Sequence, residues 1–340
     1  MTCADSYIDD QARTPAPPAN MATQSETAPQ APCADAVLAR HGRSFHFARR
    51  LLGRAHGARA TRLYAACRAV DDIADETRDA AMALHRLKAL KTALARRDDT
   101  DAVAAVFLEL HRACGLDLAA AQVLVNGAIE DLGLVALEDE QDLLGYAYKV
   151  AGCVGLMMCP VLGVANPAAR PYAADLGVAM QLTNIARDVF EDAHMGRRYL
   201  PASWVDARPE DITAIVVEPG TAPETGLRSE LRGAVRRLLA LADRYYQSGQ
   251  AGLAYLPPRP RLSILVAARI YRAIGARIAA MDHEPWRARA IVSGPRKSVI
   301  AAKAGAEFMT RGDLHDRPGP RAHELAAWPS GAAHAGAFHG

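Results

Sequence analysis

Two pairs of aspartates, more than a hundred residues apart, are the side chains in this sequence best suited to chemistry. Asp71 and Asp75 stand in Asp71-Asp72-Ile73-Ala74-Asp75-Glu76. Asp188 and Asp192 stand in Asn184-Ile185-Ala186-Arg187-Asp188-Val189-Phe190-Glu191-Asp192. On a helix, a separation of four residues puts both carboxylates on one face, one turn apart. Carboxylates converging from two helices repel one another unless a cation lies between them. Hard divalent cations, Mg²⁺ above all, take oxygen ligands and often bring a substrate's phosphate with them. The spacing points to a diphosphate held by metal.

Acid pairs at this spacing also decorate solvated helix faces, so the neighbours decide. Tyr64, Arg68, Asp71 and Asp75 form one polar stripe at i, i+4, i+7 and i+11. Gln181, Asn184, Asp188 and Asp192 form another at i, i+3, i+7 and i+11. Around the first lie Leu63, Ala65, Ala66, Ala69 and Val70. Around the second lie Val178, Leu182, Ile185, Ala186 and Val189. A helix that is apolar nearly all round is buried, and buried charge must be paired or bound to metal. Two such stripes are expected to face one cavity.

The elements that position these stripes are helices. Helical periodicity runs almost throughout, over about 35–55, 59–78, 80–97, 100–114, 117–132, 139–158, 168–192, 226–250, 261–281 and 297–310. No alternating strand and no internal repeat is evident. The stretch 201–223, with Pro209, Pro219 and Gly220, reads as an irregular connection, and Pro257-Pro258-Arg259-Pro260 as a second break. The segment 150–169 carries no charge and is long enough to span a bilayer. Gly152, Gly155, Pro160, Gly163 and Pro167 interrupt it, which favours a buried, bent helix whose glycines and methionines form an adaptable wall.

The chain has 340 residues, 50% of them hydrophobic, which is enough for one large core. A net charge of +2 gives no long-range pull toward nucleic acid, and no nucleic-acid partner is expected. Cys3, Cys33, Cys67, Cys114, Cys153 and Cys159 show no paired spacing. That argues against structural zinc or a disulfide framework and suits reduced thiols in a cytoplasmic protein. The domain is expected over 35–310. Residues 1–34, rich in Ala, Pro, Thr and Gln and without a secretory pattern, read as a disordered leader, and 311–340 as a disordered tail.

Longer motifs surround the aspartates. They are His41-Gly42-Arg43-Ser44-Phe45, the run from Tyr64 to Asp75, Tyr146-Ala147-Tyr148-Lys149-Val150-Ala151-Gly152-Cys153-Val154-Gly155, and the run from Gln181 through Gly196-Arg197-Arg198-Tyr199-Leu200-Pro201. In content, order and separation they resemble the squalene and phytoene synthases, head-to-head prenyl-diphosphate condensing enzymes, over about residues 35–310. The late stretches Tyr245–Leu253 and Ala267–Gly275 are similar to those of the bacterial phytoene synthases.

The resemblance implies an all-α, single-domain isoprenoid-synthase bundle around a deep central cavity, with both aspartate motifs at its mouth. It implies that two geranylgeranyl diphosphates condense through a cyclopropyl (prephytoene) diphosphate to phytoene, in carotenoid biosynthesis. Asp71, Asp75, Asp188 and Asp192 are the expected metal ligands, with Asn184 adding a neutral oxygen. Mg²⁺ is the expected ion, Mn²⁺ a substitute, and no nicotinamide is expected. Arg68, Arg187, Arg43 and His41 are expected at the diphosphates. Tyr64, Tyr146, Phe45 and Tyr271 are expected to face the cation, and Ser44, Val154, Gly155 and Gln181 to line the substrate path. A soluble protein that visits the membrane surface is expected, with a downstream desaturase as a partner. Squalene, dehydrosqualene or presqualene diphosphate synthesis from farnesyl diphosphate stays open at this point. So do a terpene cyclase and a non-catalytic scaffold.

Overall fold

The computed structural model describes residues 43–77, 79–133, 135–215 and 226–316, together with Pro318, Arg321 and Trp328. The expected leader and His41 lie outside the described residues, as do the side chains of Arg43 and Ser44. Among the described residues there is no strand, only an isolated parallel bridge between Ala136 and Arg198. The helices are α1 (Arg43–Arg49), α2 (Arg54–Glu76), α3 (Ala80–Arg96), α4 (Ala102–Cys114), α5 (Leu118–Glu130), α6 (Glu140–Ala147), α7 (Cys153–Val161), α8 (Arg170–His194), α9 (Pro209–Thr213), α10 (Gly226–Ala251), α11 (Pro258–Ala279) and α12 (Gly294–Thr310). A π-helical turn, Tyr148–Gly152, joins α6 to α7.

Local chemistry explains where several helices begin. Asp79, Asp101, Asp117 and Asp139 each accept hydrogen bonds from two backbone N–H groups in the first turns of α3, α4, α5 and α6. Each such cap is worth about 1 kcal/mol. Two boundaries differ from those expected. Within the span expected over 35–55, α1 ends at Arg49, and Gly53, with a φ of 78° that no α-helix accommodates, caps the fresh start of α2 at Arg54. The break expected at Pro257–Pro260 is present at Leu256 and Pro257, but α11 already starts at Pro258 rather than 261, because proline is tolerated in a first turn, where its missing N–H has no intrahelical partner.

Helix α8 is the axis of the core. It packs against α10, α7, the π turn, α11 and α9. Val178, Leu182, Ile185, Ala186 and Val189 are buried on it. On α2, Leu63, Ala66, Val70 and Ile73 are buried likewise. The segment that met the length of a membrane span continues through Pro160 to Val161 and packs against α5 and α8 as a core helix. Its glycines have a geometric purpose. A Cβ on Gly155 would lie 2.1 Å from the Ala173 carbonyl oxygen, and one on Gly177 2.3 Å from that of Ala151. The two helices therefore touch backbone to backbone.

The tail expected over 311–340 is not wholly separate from this body. Leu314 is buried, and Arg321 and Trp328 reach the carboxylate of Asp175 on α8.

Candidate active site

Helices α1, α2, α7, α8, α10 and α11 enclose a cavity of about 450 Å³. Along α8 the lining changes character. Tyr172, Ala173, Leu176 and Met180 give way, toward the C-terminal end, to Gln181, Asn184 and Arg187. From α2, Tyr64, Arg68 and Asp71 line the cavity. The cavity therefore has a polar end near the last turns of α2 and α8. The other end is apolar, walled by residues such as Val154, Met158, Leu162 and Leu256. At 1.5 Å per residue, Tyr172 and Asn184 stand about 18 Å apart along α8, comparable with an extended prenyl chain.

The polar end concentrates unlike and like charges. Arg68 pairs with Asp72 at 2.6 Å. Arg187 forks onto its neighbour Asp188, with Nε 2.8 Å from Oδ1, and Arg289 reaches the same oxygen at 3.0 Å. Arg197 Nη1 bonds Asp75 Oδ1 at 2.9 Å, linking the loop after α8 to the end of α2. Burial pushes the Asp71 carboxyl up to about 7. Arg68 opposes the rise, and Asp75, Asp131 and Asp72 add to it. Burial likewise raises Asp192 to about 8, with Asp188 the largest charge contribution. The Oδ1 atom of Asn184 and the Nε of Arg68 are buried with no hydrogen-bond partner.

These features fit a divalent cation and a polyanion arriving together. Raised carboxyls are ones whose negative charge lacks enough compensation. Asn184 offers an oxygen and Arg68 an N–H with nothing yet to meet. Among the described residues, no three His, Cys, Asp or Glu side chains converge as a ready-made metal cage. Mg²⁺ commonly needs none, because it binds through one or two carboxylates plus substrate phosphates.

Beside the polar end lies an aromatic group. Phe45 stands 5.3 Å from Tyr271 and 6.2 Å from Tyr64, ring centre to ring centre, and all three line the cavity. Burial raises the Tyr64 and Tyr271 hydroxyls well above their ordinary range, so both stay protonated.

Most of the expected residues meet here: Phe45, Tyr64, Arg68, Asp71, Val154, Gly155, Gln181, Asn184, Arg187 and Tyr271 all line the cavity. Four do not. Asp75 is held outside by Arg197, with its side chain 38% exposed. Asp188 shares the face of Asn184 but lies a turn farther along, under Arg187 and Arg289. Asp192 lines a separate small recess with Arg198 and Tyr199. Tyr146 does not face the cavity at all. Its ring stacks on Tyr199 with centres 4.8 Å apart, and both hydroxyls donate to Asp131, at 3.0 and 3.1 Å.

Sequence reasoning assigned no role to Asp131, Arg197, Tyr199 or Arg289. Arg197 and Tyr199 sit inside the Gly196–Pro201 motif, so the signal was present. Asp131 follows Glu130 at the C-terminal end of α5, without the i,i+4 acid spacing, and Arg289 lies in a loop before α12. Neither has a pattern to mark it. Burial raises Asp131 to about 6 although two tyrosine hydroxyls bond it.

Comparison with known proteins agrees with this geometry. A family model described as squalene/phytoene synthase matches residues 38–296. The chain is 36% identical over 260 residues to a 15-cis-phytoene synthase of Pantoea ananas, covering 73% of this chain and 82% of that one. It is 35% identical over 305 residues to a phytoene synthase of Rhodobacter capsulatus, covering 86% of each. Among solved structures, it superposes on a dehydrosqualene synthase in complex with a ligand with a TM-score of 0.70 at 25% identity, over 82% of this chain and 95% of that one. A squalene synthase from Alicyclobacillus acidocaldarius, at 20% identity and a TM-score of 0.61, covers 74% of this chain and 94% of its own and shares the fold.

Proposed function

The chain belongs to the squalene/phytoene synthase family, and from that premise we propose that it is a phytoene synthase, a prenyltransferase of carotenoid biosynthesis. Two geranylgeranyl diphosphates condense head to head through a cyclopropylcarbinyl diphosphate, releasing diphosphate at each ionisation. The observation that carries this reading is the cavity itself, apolar along most of its length and closed at one end by Arg68, Asp71, Asn184 and Arg187.

In the first half-reaction the C–O bond of one substrate breaks to give an allylic cation and diphosphate. The double bond of the second substrate attacks, and proton loss closes the cyclopropane. In the second half-reaction this intermediate ionises, rearranges and loses a proton to give phytoene. Arg68 and Arg187 are placed to bind the departing diphosphate, since guanidinium matches phosphate oxygens. Asp71 and Asn184 are the cavity-facing oxygens that would hold Mg²⁺, with Asp75, Asp188 and Asp192 within the surrounding charge cluster. When bound, the ion offsets charge developing on the leaving oxygens. Phe45, Tyr64 and Tyr271 present ring faces and edges beside the point of ionisation, where they stabilise positive charge. The aliphatic lining keeps water from quenching the cation to an alcohol. The hydrocarbon product is expected to pass to a membrane surface and then to a desaturase.

The superposition on a dehydrosqualene synthase favours one second reading, condensation of two farnesyl diphosphates by the same apparatus. One experiment separates the two. Purified protein is incubated with Mg²⁺ and farnesyl or geranylgeranyl diphosphate, with and without NADPH, and the product mass is read. A forty-carbon hydrocarbon formed without NADPH supports the proposal. Thirty-carbon products alone move the chain to the second reading. A cyclic hydrocarbon with the carbon count of one substrate makes it a cyclase.

A further inference from the structure

Asp175 takes no part in the chemistry above, yet it is wholly buried, with 0% exposure, on the helix that carries Gln181, Asn184 and Arg187. A buried carboxylate persists where it is paired and hydrogen-bonded. Ser248 of α10 donates to it. Arg321 grips both oxygens, Nε to Oδ2 at 2.7 Å and Nη2 to Oδ1 at 2.6 Å. Trp328 donates its indole N–H to Oδ1 at 2.6 Å. The Trp328 ring then stacks on Tyr148, with centres 5.0 Å apart and planes 9° from parallel, and leans on Tyr245 at 5.8 Å. Two residues from beyond α12 thus join α8, α10 and the π turn.

The place of this junction gives it consequence. Tyr172, Ala173, Leu176 and Gly177, the immediate neighbours of Asp175, line the apolar end of the cavity, as do Val150 and Ala151 of the π turn that Tyr148 opens. Between Gly177 and Ala151, and between Gly155 and Ala173, the wall is backbone against backbone. No side chain can rotate there to absorb a shift. Any change in the spacing of α8 and the π turn alters the shape of the cavity directly.

We propose that Arg321 and Trp328 are positioning residues for the apolar end of the cavity. By clamping Asp175 and Tyr148 they fix the spacing of α8 and the π turn and so set the prenyl chain length accepted. The inference rests on the proposed function only in taking the ligand to be a prenyl diphosphate.

The test uses the full chain and unreactive thiolo analogues of farnesyl and geranylgeranyl diphosphate, with binding read by calorimetry in Mg²⁺. In Trp328→Ala and Arg321→Met, the preference for the twenty-carbon over the fifteen-carbon analogue is expected to fall by about tenfold, since small misplacements of a binding wall are costly. Affinity for inorganic diphosphate should stay unchanged, because the polar end is untouched. Trp328→Phe, which keeps the stack and loses the N–H, should shift the preference less and in the same direction. If Trp328→Ala does not fold, that smaller shift decides. An unchanged preference alongside a lowered melting temperature would overturn the proposal, reducing the clamp to a structural tie. So would an equal loss of diphosphate affinity, which would mean that the whole site had moved. Failure of the functional reading shows separately, as a wild-type protein that makes no phytoene while its chain-length preference is still measured.

Discussion

Arg197, three residues beyond the end of α8, donates from Nη1 to the Asp75 carboxylate on α2 at 2.9 Å. The bond lies beyond the residues that line the cavity and ties the loop after one acidic helix to the end of the other. Gly196, at a φ of 74°, makes the turn that lets the chain double back. Arg197 also tempers the raised carboxyls of Asp192 and Asp131. It is a strut between two groups of like charge.

Arg197→Met should therefore let the two clusters separate. The expected result is a fall in kcat of roughly tenfold to a hundredfold, the usual cost of a misaligned site. Because the contact is a single N–H to one oxygen, Arg197→Lys should recover much of the loss. Steady-state kinetics on both variants checks this, and a Lys variant no better than Met would sink the strut.

Asp71 is the carboxylate that faces the cavity, and its loss should be the most severe of the acidic substitutions. Asp71→Asn is expected to lower kcat by about three orders of magnitude, equivalent to several kcal/mol of charge stabilisation. The same variant should melt higher than the wild type above pH 7 in the absence of metal, because a buried charge is removed. Turnover and melting temperature move in opposite directions only if the carboxylate is there for function.

Tyr146 separates a motif reading from a structural one. The motif suggested a substrate contact. The structure instead bonds the Tyr146 hydroxyl to Asp131, stacked on Tyr199. Tyr146→Phe should leave the KM for prenyl diphosphate near its wild-type value. It should destabilise the fold by about 1 kcal/mol, the usual net worth of a hydrogen bond. A large rise in KM with no change in melting would restore the motif reading.

The pattern of success and failure in the sequence has physical causes. The stripe from Tyr64 to Asp71 was legible because a 3.6-residue period inside an apolar helix leaves a polar row only one place to go. The fold class followed from the same period. Asp188 shows the limit. Its face of α8 was right, but its height relative to the cavity and its capture by Arg289, a hundred residues later, are tertiary facts. Gly53 was also missed, since a glycine inside a helical pattern does not announce a positive φ. Arg321 and Trp328 were lost in a stretch whose composition suggested a tail. Single anchoring residues carry no periodicity, and only their buried partner, Asp175, gives them meaning.

The two raised carboxyls make the last prediction one of sign. Asp71 near 7 and Asp192 near 8 would both titrate at about 3.9 in an unfolded chain. Between about pH 4 and 8 the folded, metal-free protein therefore keeps protons that the unfolded chain has lost. Stability contributed by these groups must fall as pH rises through that window and level off above it. A metal ion takes the place of those protons, so its binding releases them and strengthens as pH rises. Melting curves at about pH 6 and 8.5, with and without Mg²⁺ and inorganic diphosphate, test the linkage. The stabilisation given by the ligands should be larger at the higher pH, and the metal-free curve should move down. A gain from Mg²⁺ and diphosphate that shrinks on going to the higher pH would mean that neither aspartate exchanges a proton for the ion.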